Sequence, residues 1–103
     1  MPSPRFVTVA RVEDVPPGTV TTVRAGAEEI ALAHVDGEFH AVQSACLHLA
    51  GPLGEGRLED YVLSCPWHGW QFDVRTGENE FDRAIRLRTY EVRIEDGEVK
   101  VAV

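Results

Sequence analysis

The sequence predicts an all-β fold, a small antiparallel sandwich or barrel. Three observations predict it. Short segments alternate apolar or β-branched residues with polar ones, turn signals separate them at regular intervals, and no stretch shows a helical period. A length of 103 residues is enough for one domain and too short for two. We therefore expect a single domain over residues 1–103.

The first half of the chain is predicted to hold four strands. Alternation covers residues 5–12, and residues 13–18, which end in Pro-Pro-Gly, predict a loop. Strands are then predicted at 19–24 and 29–35. Asp36-Gly37 predicts a two-residue hairpin turn, because both positions of such a turn take positive φ, and 38–43 is the returning strand.

The second half is less regular. Three glycines interrupt residues 49–57 and exclude a continuous helix or strand there. Strands are predicted at 58–64 and 70–74, a polar loop at 78–86, and a last hairpin from 88–94 and 98–103 around Asp96-Gly97. Two irregular loops, 44–56 and 64–70, are the expected place of function, since loops on a rigid β scaffold commonly carry it.

Charge and hydropathy exclude several classes of partner. Seventeen acidic residues against ten basic ones give a formal charge of −7, which argues against nucleic acid. An acidic surface suits docking to a positively charged protein patch. No apolar run approaches the ~20 residues of a membrane span, and the first residues lack a basic region followed by an apolar one. We therefore expect a cytoplasmic protein without membrane contact.

Both cysteines lie in the two irregular loops, and each is accompanied by a histidine. The first loop contains Cys46-Leu47-His48 and the second contains Cys65-Pro66-Trp67-His68. Two thiolates and two imidazoles make a four-ligand site that suits zinc or an iron–sulfur cluster. Zinc fingers more often take like pairs of ligands from each element, whereas each loop here supplies one cysteine and one histidine.

These residues strongly resemble the Rieske signature, C-x-H followed by C-P-W-H-G. The flanking segments are also similar to that family, namely 36–39, 72–73, 76–78 and 90–97. The resemblance implies the Rieske fold, with the two loops forming a cluster-binding subdomain. It implies one [2Fe–2S] cluster held by Cys46, His48, Cys65 and His68. In a Rieske centre, two cysteines bind one iron and two histidines bind the other.

The resemblance also implies a branch of the family. Rieske proteins of respiratory complexes carry a disulfide between the loops, but the matching positions here are Gly51 and Trp67. In that branch, two hydroxyl groups donate hydrogen bonds to sulfur, and the matching positions here are Trp70 and Phe72. Fewer hydrogen bonds to sulfur lower the reduction potential. We therefore expect a potential near the low end of the Rieske range, roughly −150 mV.

The implied function is that of a soluble Rieske-type ferredoxin, an electron carrier rather than an enzyme. Its partners would be an NAD(P)H-dependent flavin reductase and a terminal non-haem iron oxygenase of the dioxygenase type. A second iron site would need two further histidines, and only His34 and His40 remain, both in predicted strands. We interpret them as residues satisfied by packing or solvent.

Three alternatives stay open, and one departure from the family stands out. The chain could be a Rieske-like small subunit of a reductase such as nitrite reductase, the ferredoxin of a monooxygenase, or a zinc-binding interaction module. Family members often carry a proline-bearing loop after Thr-Gly-Glu, but residues 79–86 contain no proline. We expect a monomer, because a transient carrier must release each partner.

Overall fold

The computed structural model describes residues 5–45, 51–67 and 69–103. These residues form ten strands and two short 3-10 turns. The strands are β1 (Phe6–Arg11), β2 (Thr19–Ala25), β3 (Glu28–Val35), β4 (Glu38–Gln43), β5 (Arg57–Glu59), β6 (Val62–Ser64), β7 (Gln71–Asp73), β8 (Thr89–Tyr90), β9 (Val92–Glu95) and β10 (Glu98–Ala102). The 3-10 turns are Val12–Asp14 and Leu53–Glu55. Neither described helix is long and apolar enough to cross a membrane.

The strands form three antiparallel sheets, which confirms the predicted all-β antiparallel fold. A central sheet has the order β2-β3-β4-β8, a terminal sheet has the order β1-β10-β9, and a third sheet, the loop sheet, has the order β5-β6-β7. Within the described part of the chain, every strand pairing is antiparallel.

Two predicted hairpin turns are confirmed by their backbone angles. Asp36 and Gly37 have φ of 46° and 87° and join β3 to β4. Asp96 and Gly97 have φ of 51° and 76° and join β9 to β10. Aspartate followed by glycine adopts two consecutive positive φ values at low cost, which suits the right-handed twist of the flanking strands.

The prediction of one strand over 58–64 is wrong. The chain reverses at Asp60 and Tyr61, so that β5 and β6 pair as a hairpin with Glu59 opposite Val62. Asp60 has φ of 52°, a left-handed conformation that aspartate tolerates better than most residues. This turn contains no glycine, so the sequence carried too weak a turn signal to divide the segment.

The prediction of one strand over 88–94 is also wrong, because the chain changes sheets within it. β8 pairs with β4 of the central sheet, whereas β9 pairs with β10 of the terminal sheet. Glu91 lies between them, and its carbonyl accepts a hydrogen bond from Ala102 N–H at 3.0 Å. Alternation of residues shows that a segment is extended, but it does not show which neighbour it pairs with.

The central sheet lies between two hydrophobic cores. One face contributes Ala31, Ala33 and Val42 to a core shared with Leu63 and Phe72 of the loop sheet, here called the loop-side core. The other face contributes Ile30, Leu32 and Ala41 to a core shared with Val99 and Val101 of the terminal sheet. Successive residues of β3 point to opposite faces, so this strand is buried on both sides from Ile30 to Val35. The loop-side core supports the two candidate loops.

Candidate metal centre

The second candidate loop is closed at its base by backbone hydrogen bonds. Cys65 N–H donates to the carbonyl of Trp70 at 2.8 Å, which extends the ladder between β6 and β7 by one step. Gly69 N–H donates to the carbonyl of Cys65 at 3.1 Å. Gly69 has φ of 72°, a conformation that glycine adopts without steric cost. The hairpin therefore places Cys65 at the point where the loop leaves the sheet.

The described ends of the first candidate loop are also fastened to the scaffold. Leu53 N–H donates to the carbonyl of Ser44 at 2.8 Å, and Ala45 pairs with Pro52. Leu53 is fully buried in the loop-side core. The Cα of Gly54 lies against the Thr22 side chain, and that of Gly56 lies against the Ser64 carbonyl. Side chains at either glycine would prevent this close approach.

The two loops meet at Gly51 and Cys65. A Cβ added to Gly51 would lie 2.6 Å from Cys65 Sγ and 3.3 Å from Trp67 Cβ. The first distance is shorter than any ordinary contact, so only glycine leaves room beside this sulfur. Gly51 and Trp67 are the two positions where the respiratory branch would have its disulfide, and the structure places them side by side. The ideal Cβ position of Gly51 lies 3.3 Å from Trp67 Cβ, close to the 3.5–4.5 Å that separates the Cβ atoms of a disulfide.

Of the four predicted ligands, the structure describes Cys65. Its side chain is buried in the loop-side core and forms no disulfide. Cys46, His48 and His68 lie outside the described residues. Among the residues that are described, no three His, Cys, Asp or Glu side chains stand together as a metal site. The Cys65 thiol is buried, and the space beside its sulfur is free of side chains. Cys65 therefore fits the role of an iron ligand, because thiolates are the soft ligands that suit iron–sulfur chemistry.

Aromatic side chains surround the described side of the second loop. Phe72 is fully buried, and Trp70 is partly buried against the loop-side core. The Trp70 ring lies 5.1 Å from the Phe81 ring in an edge-to-face arrangement. Trp67, in the loop itself, is half exposed. Trp70 therefore packs against the core, whereas half of the Trp67 surface faces solvent.

Sequence reasoning treated residues 78–86 as a polar loop and missed its contact with the site. Asn79 pairs with Phe72, and Glu80 N–H donates to the Gln71 carbonyl at 2.9 Å. The loop thus begins as a short extra strand beside β7 and carries Phe81 to Trp70. The apolar residues Phe81 and Ile85 within this mostly polar segment were the local signal for such a contact.

The two remaining histidines are confirmed as packing residues. His34 is buried, with Nδ1 2.6 Å from the Val15 carbonyl oxygen, while Nε2 accepts a hydrogen bond from Gly37 N–H. Both contacts are satisfied when Nδ1 carries a proton and Nε2 acts as the acceptor. His40 is partly buried, and its Nε2 lies 3.1 Å from the Glu38 carboxylate. Both rings are therefore engaged by partners on or beside β3 and β4.

A charged pair stabilises the turn that follows β7. The Arg75 guanidinium bonds both carboxylate oxygens of Asp73, and it lies 4.0 Å above the Tyr61 ring. Hydrogen bonding from Arg75 lowers the pKa of the Asp73 carboxyl. Burial and the nearby Glu38 carboxylate raise the pKa of Tyr61. Its contact with Tyr61 joins the turn before β6 to the turn after β7, at the end of this hairpin opposite the second candidate loop.

Comparison with known proteins places these features in a family. The Rieske [2Fe-2S] domain model matches residues 5–91. Ferredoxin CarAc of Metapseudomonas resinovorans is 36% identical over 94% of this chain and 92% of its own length. The ferredoxin component of biphenyl 2,3-dioxygenase of Rhodococcus jostii is 39% identical over 85% of this chain and 83% of its own.

A solved structure agrees with these relatives. A chain in the complex of reduced oxygenase and oxidised ferredoxin of carbazole 1,9a-dioxygenase superposes with a TM-score of 0.86 and 35% identity. The superposition covers 97% of this chain and 94% of that one. Sequence motif, fold and the paired loops therefore agree, and the chain belongs to the Rieske [2Fe–2S] domain family.

Proposed function

We propose that this chain is a Rieske ferredoxin that carries single electrons from an NAD(P)H-dependent flavin reductase to a terminal non-haem iron oxygenase. One observation carries the proposal. The chain matches nearly the full length of relatives that are themselves named ferredoxins or ferredoxin components, at 36–39% identity. The reductase takes a hydride from NAD(P)H, and two oxidised carriers each leave with one electron. The carrier therefore changes by one electron at each visit.

The proposed ligands are Cys46 and Cys65 for one iron and His48 and His68 for the other. When bound, the cluster accepts and releases one electron. Each histidine must present a deprotonated nitrogen to the metal. Cys65 supplies a buried thiolate from the base of the second loop, and Gly51 leaves space at its sulfur. The first loop would supply the other cysteine and histidine.

The surface through which electrons would pass lies at the second loop. Pro66 and Trp67 are exposed there and form an apolar rim beside the proposed ligand Cys65. An exposed apolar rim permits close approach of a partner without a large desolvation cost for charged groups. The proposed carrier is a cytoplasmic monomer of one domain, which binds its reductase and oxygenase in turn.

The family match favours this proposal over a zinc module, and the named relatives favour it over a reductase subunit. The first test is low-temperature electron paramagnetic resonance of the purified protein before and after dithionite, with iron and zinc measured in the same sample. A rhombic signal on reduction, with an average g below that of all-cysteine clusters, is expected. A silent spectrum with stoichiometric zinc would refute the proposal. Co-purification with a large subunit would favour the reductase alternative.

Ligand variants test the assignment of the site. His48→Ala and His68→Ala should each abolish the Rieske absorption, because each removes one of two histidine ligands. His40→Ala is the matched control, since His40 is a strand residue paired with Glu38. It should retain the normal spectrum. A normal spectrum in either ligand variant would refute the assignment.

The reduction potential of the cluster tests whether the chain belongs to a branch of the family other than the respiratory one. The fully buried Phe72 and its neighbour Trp70 have no hydroxyl group to donate to sulfur. We expect a potential of roughly −150 mV by spectroelectrochemical titration. A value well above zero would contradict the proposed branch.

A further inference from the structure

We propose that Phe81 is a docking residue for the terminal oxygenase, presented beside the candidate metal centre by the arm formed of residues 79–82. This inference rests on the proposed function and deepens it, because it names a part of the surface that selects the electron acceptor. Phe81 lies outside both candidate loops. It belongs to the segment in which this chain departs from the proline-bearing loop of its family.

The arm extends the loop sheet toward the site. Phe72 pairs with Asn79, and Leu63 pairs with Phe72, so these three residues form one row across the sheet. Residues two apart on a strand point to the same face. Two positions from Leu63, Phe72 and Asn79, nearer the candidate centre, the next row across the sheet therefore holds Cys65, Trp70 and Phe81. Cys65 N–H donates to Trp70 O, and the Trp70 and Phe81 rings are in contact. Phe81 is thus continuous with the surface around the ligand loop.

The Phe81 ring is unusually exposed for a side chain held in place. It is 67% exposed, compared with 50% for Trp67 and 45% for Ile94. Its backbone is fixed by Asn79, which is 1% exposed and whose Oδ1 accepts hydrogen bonds from Phe81 N–H and Asp82 N–H. A rigid exposed aromatic ring loses little conformational entropy when a partner covers it. Aromatic residues, phenylalanine among them, are enriched in the buried cores of protein interfaces.

The charges around Phe81 indicate the chemistry of the partner surface. Exposed Glu80 and Asp82 flank Phe81 in sequence, and exposed Arg83 follows them. Acidic residues therefore outnumber basic ones beside the ring, and the whole chain carries a formal charge of −7. A complementary surface would offer an apolar recess edged by arginine or lysine. The similar ferredoxin fold was solved in complex with an oxygenase. An oxygenase is therefore the class of partner to which we assign this surface.

The test compares Phe81→Ala and Phe81→Leu with wild type as reduced holoprotein. Ile94→Ala is the matched control, because Ile94 is an exposed apolar residue of β9 in the terminal sheet. Stopped-flow mixing with the oxidised oxygenase components of the carbazole and biphenyl systems gives the second-order rate constant of electron transfer. We expect Phe81→Ala to lower this constant by about tenfold or more. Phe81→Leu should fall between Phe81→Ala and wild type, and Ile94→Ala should match wild type.

Three further readouts separate docking from other roles. The potential, the resonance spectrum and reoxidation by ferricyanide should be unchanged in Phe81→Ala, and its reduction by the flavin reductase should stay within about twofold of wild type. A changed potential together with faster or slower ferricyanide reoxidation would make Phe81 a shield of the centre and overturn the docking role. A slower reductase reaction with an unchanged oxygenase reaction would overturn the choice of partner.

Failure of this inference differs from failure of the proposed function. If wild type reduces an oxygenase and Phe81→Ala does so equally fast, the inference is wrong and the proposed function stands. If wild type, with its normal Rieske spectrum, reduces none of the oxygenase components, both are overturned.

Discussion

At the residue scale, the candidate centre depends on one glycine as well as on its ligands. Gly51 comes from the first loop and faces the proposed ligand Cys65 of the second, and any side chain at that position would lie within 3 Å of Cys65 Sγ. Ligand residues are visible in a sequence because their chemistry is particular. The requirement for a glycine opposite them is visible only when the two loops are seen together.

Replacing Gly51 with alanine should reduce cluster binding. The added Cβ displaces either the Cys65 sulfur or the Trp67 ring, and packed interiors yield little to such changes. We expect iron content per protein to fall by at least about twofold, measured by metal analysis and visible absorption. Gly26→Ala is the control. Gly26 has φ of 64° and open space around it, so the variant loses stability and keeps its iron. Normal iron in Gly51→Ala would contradict the prediction.

Buried His34 shows how a polar residue can be structural rather than a ligand. Its ring links Val15, which follows the first 3-10 turn, to Gly37 in the β3–β4 turn, and it stacks on Phe39 at 4.2 Å. His34→Leu would leave the Val15 carbonyl and Gly37 N–H without this partner. We expect a loss of about 1–3 kcal/mol in the free energy of unfolding, measured by urea denaturation. His40→Leu should lose less than about 1 kcal/mol, because its partner Glu38 is mostly exposed and solvent screens the pair. Equal losses would contradict this account.

At the element scale, the turns explain which strands could be predicted. The two Asp-Gly pairs correctly predicted two hairpins, because aspartate and glycine adopt positive φ readily and this turn preference depends on adjacent residues only. The Asp60-Tyr61 turn was missed because its second position is an ordinary residue. The break at Glu91 was missed because it reflects a change of pairing partner, which depends on the packing of two sheets rather than on the segment itself.

The turn after β7 gives a prediction about pH. The Arg75 guanidinium lowers the pKa of Asp73 in the folded protein, so the ionised carboxylate stabilises the fold. This contribution is present above the unfolded pKa of about 3.9, and it is lost as pH falls through the lower folded pKa. We expect Asp73→Asn to lower the free energy of unfolding at pH 7 by up to about 1 kcal/mol. The difference from wild type should shrink below about pH 4.

Chemical denaturation of both proteins across this pH range measures the effect. The matched control is the same substitution made in an Arg75→Met background, where the guanidinium is absent. The pH dependence of the Asp73→Asn effect should largely disappear there. If the effect of Asp73→Asn grows as the pH is lowered, the sign assigned to the pair is wrong.

At the scale of the whole molecule, the two faces of the central sheet have different roles. One face packs against the terminal sheet, whose strands close the fold. The other face supports the loop sheet and both candidate loops. The described bases of both candidate loops are fastened to this doubly packed scaffold by backbone hydrogen bonds.

The charge of the molecule predicts how its reactions respond to salt. A chain with a formal charge of −7 is steered toward a basic partner surface, and ions screen this attraction over about 8 Å at physiological ionic strength. The rate constant for reducing the oxygenase should therefore fall several-fold between roughly 0.05 and 0.5 M sodium chloride. Stopped-flow absorption measures it, with ferricyanide reoxidation followed in parallel. A rate constant that rises with salt would contradict attraction between the partners.

The sequence by itself determined the class of fold, the two hairpins with Asp-Gly turns, and the four ligand candidates in two loops. These properties are local, because turn preference, alternation and ligand chemistry belong to a few adjacent residues. Only the tertiary structure decided that Gly51 faces Cys65, that His34 joins Val15 to Gly37, and that Phe81 lies against Trp70. Each of these contacts joins distant parts of the chain, and strand register and sheet packing, rather than local preference, bring them together.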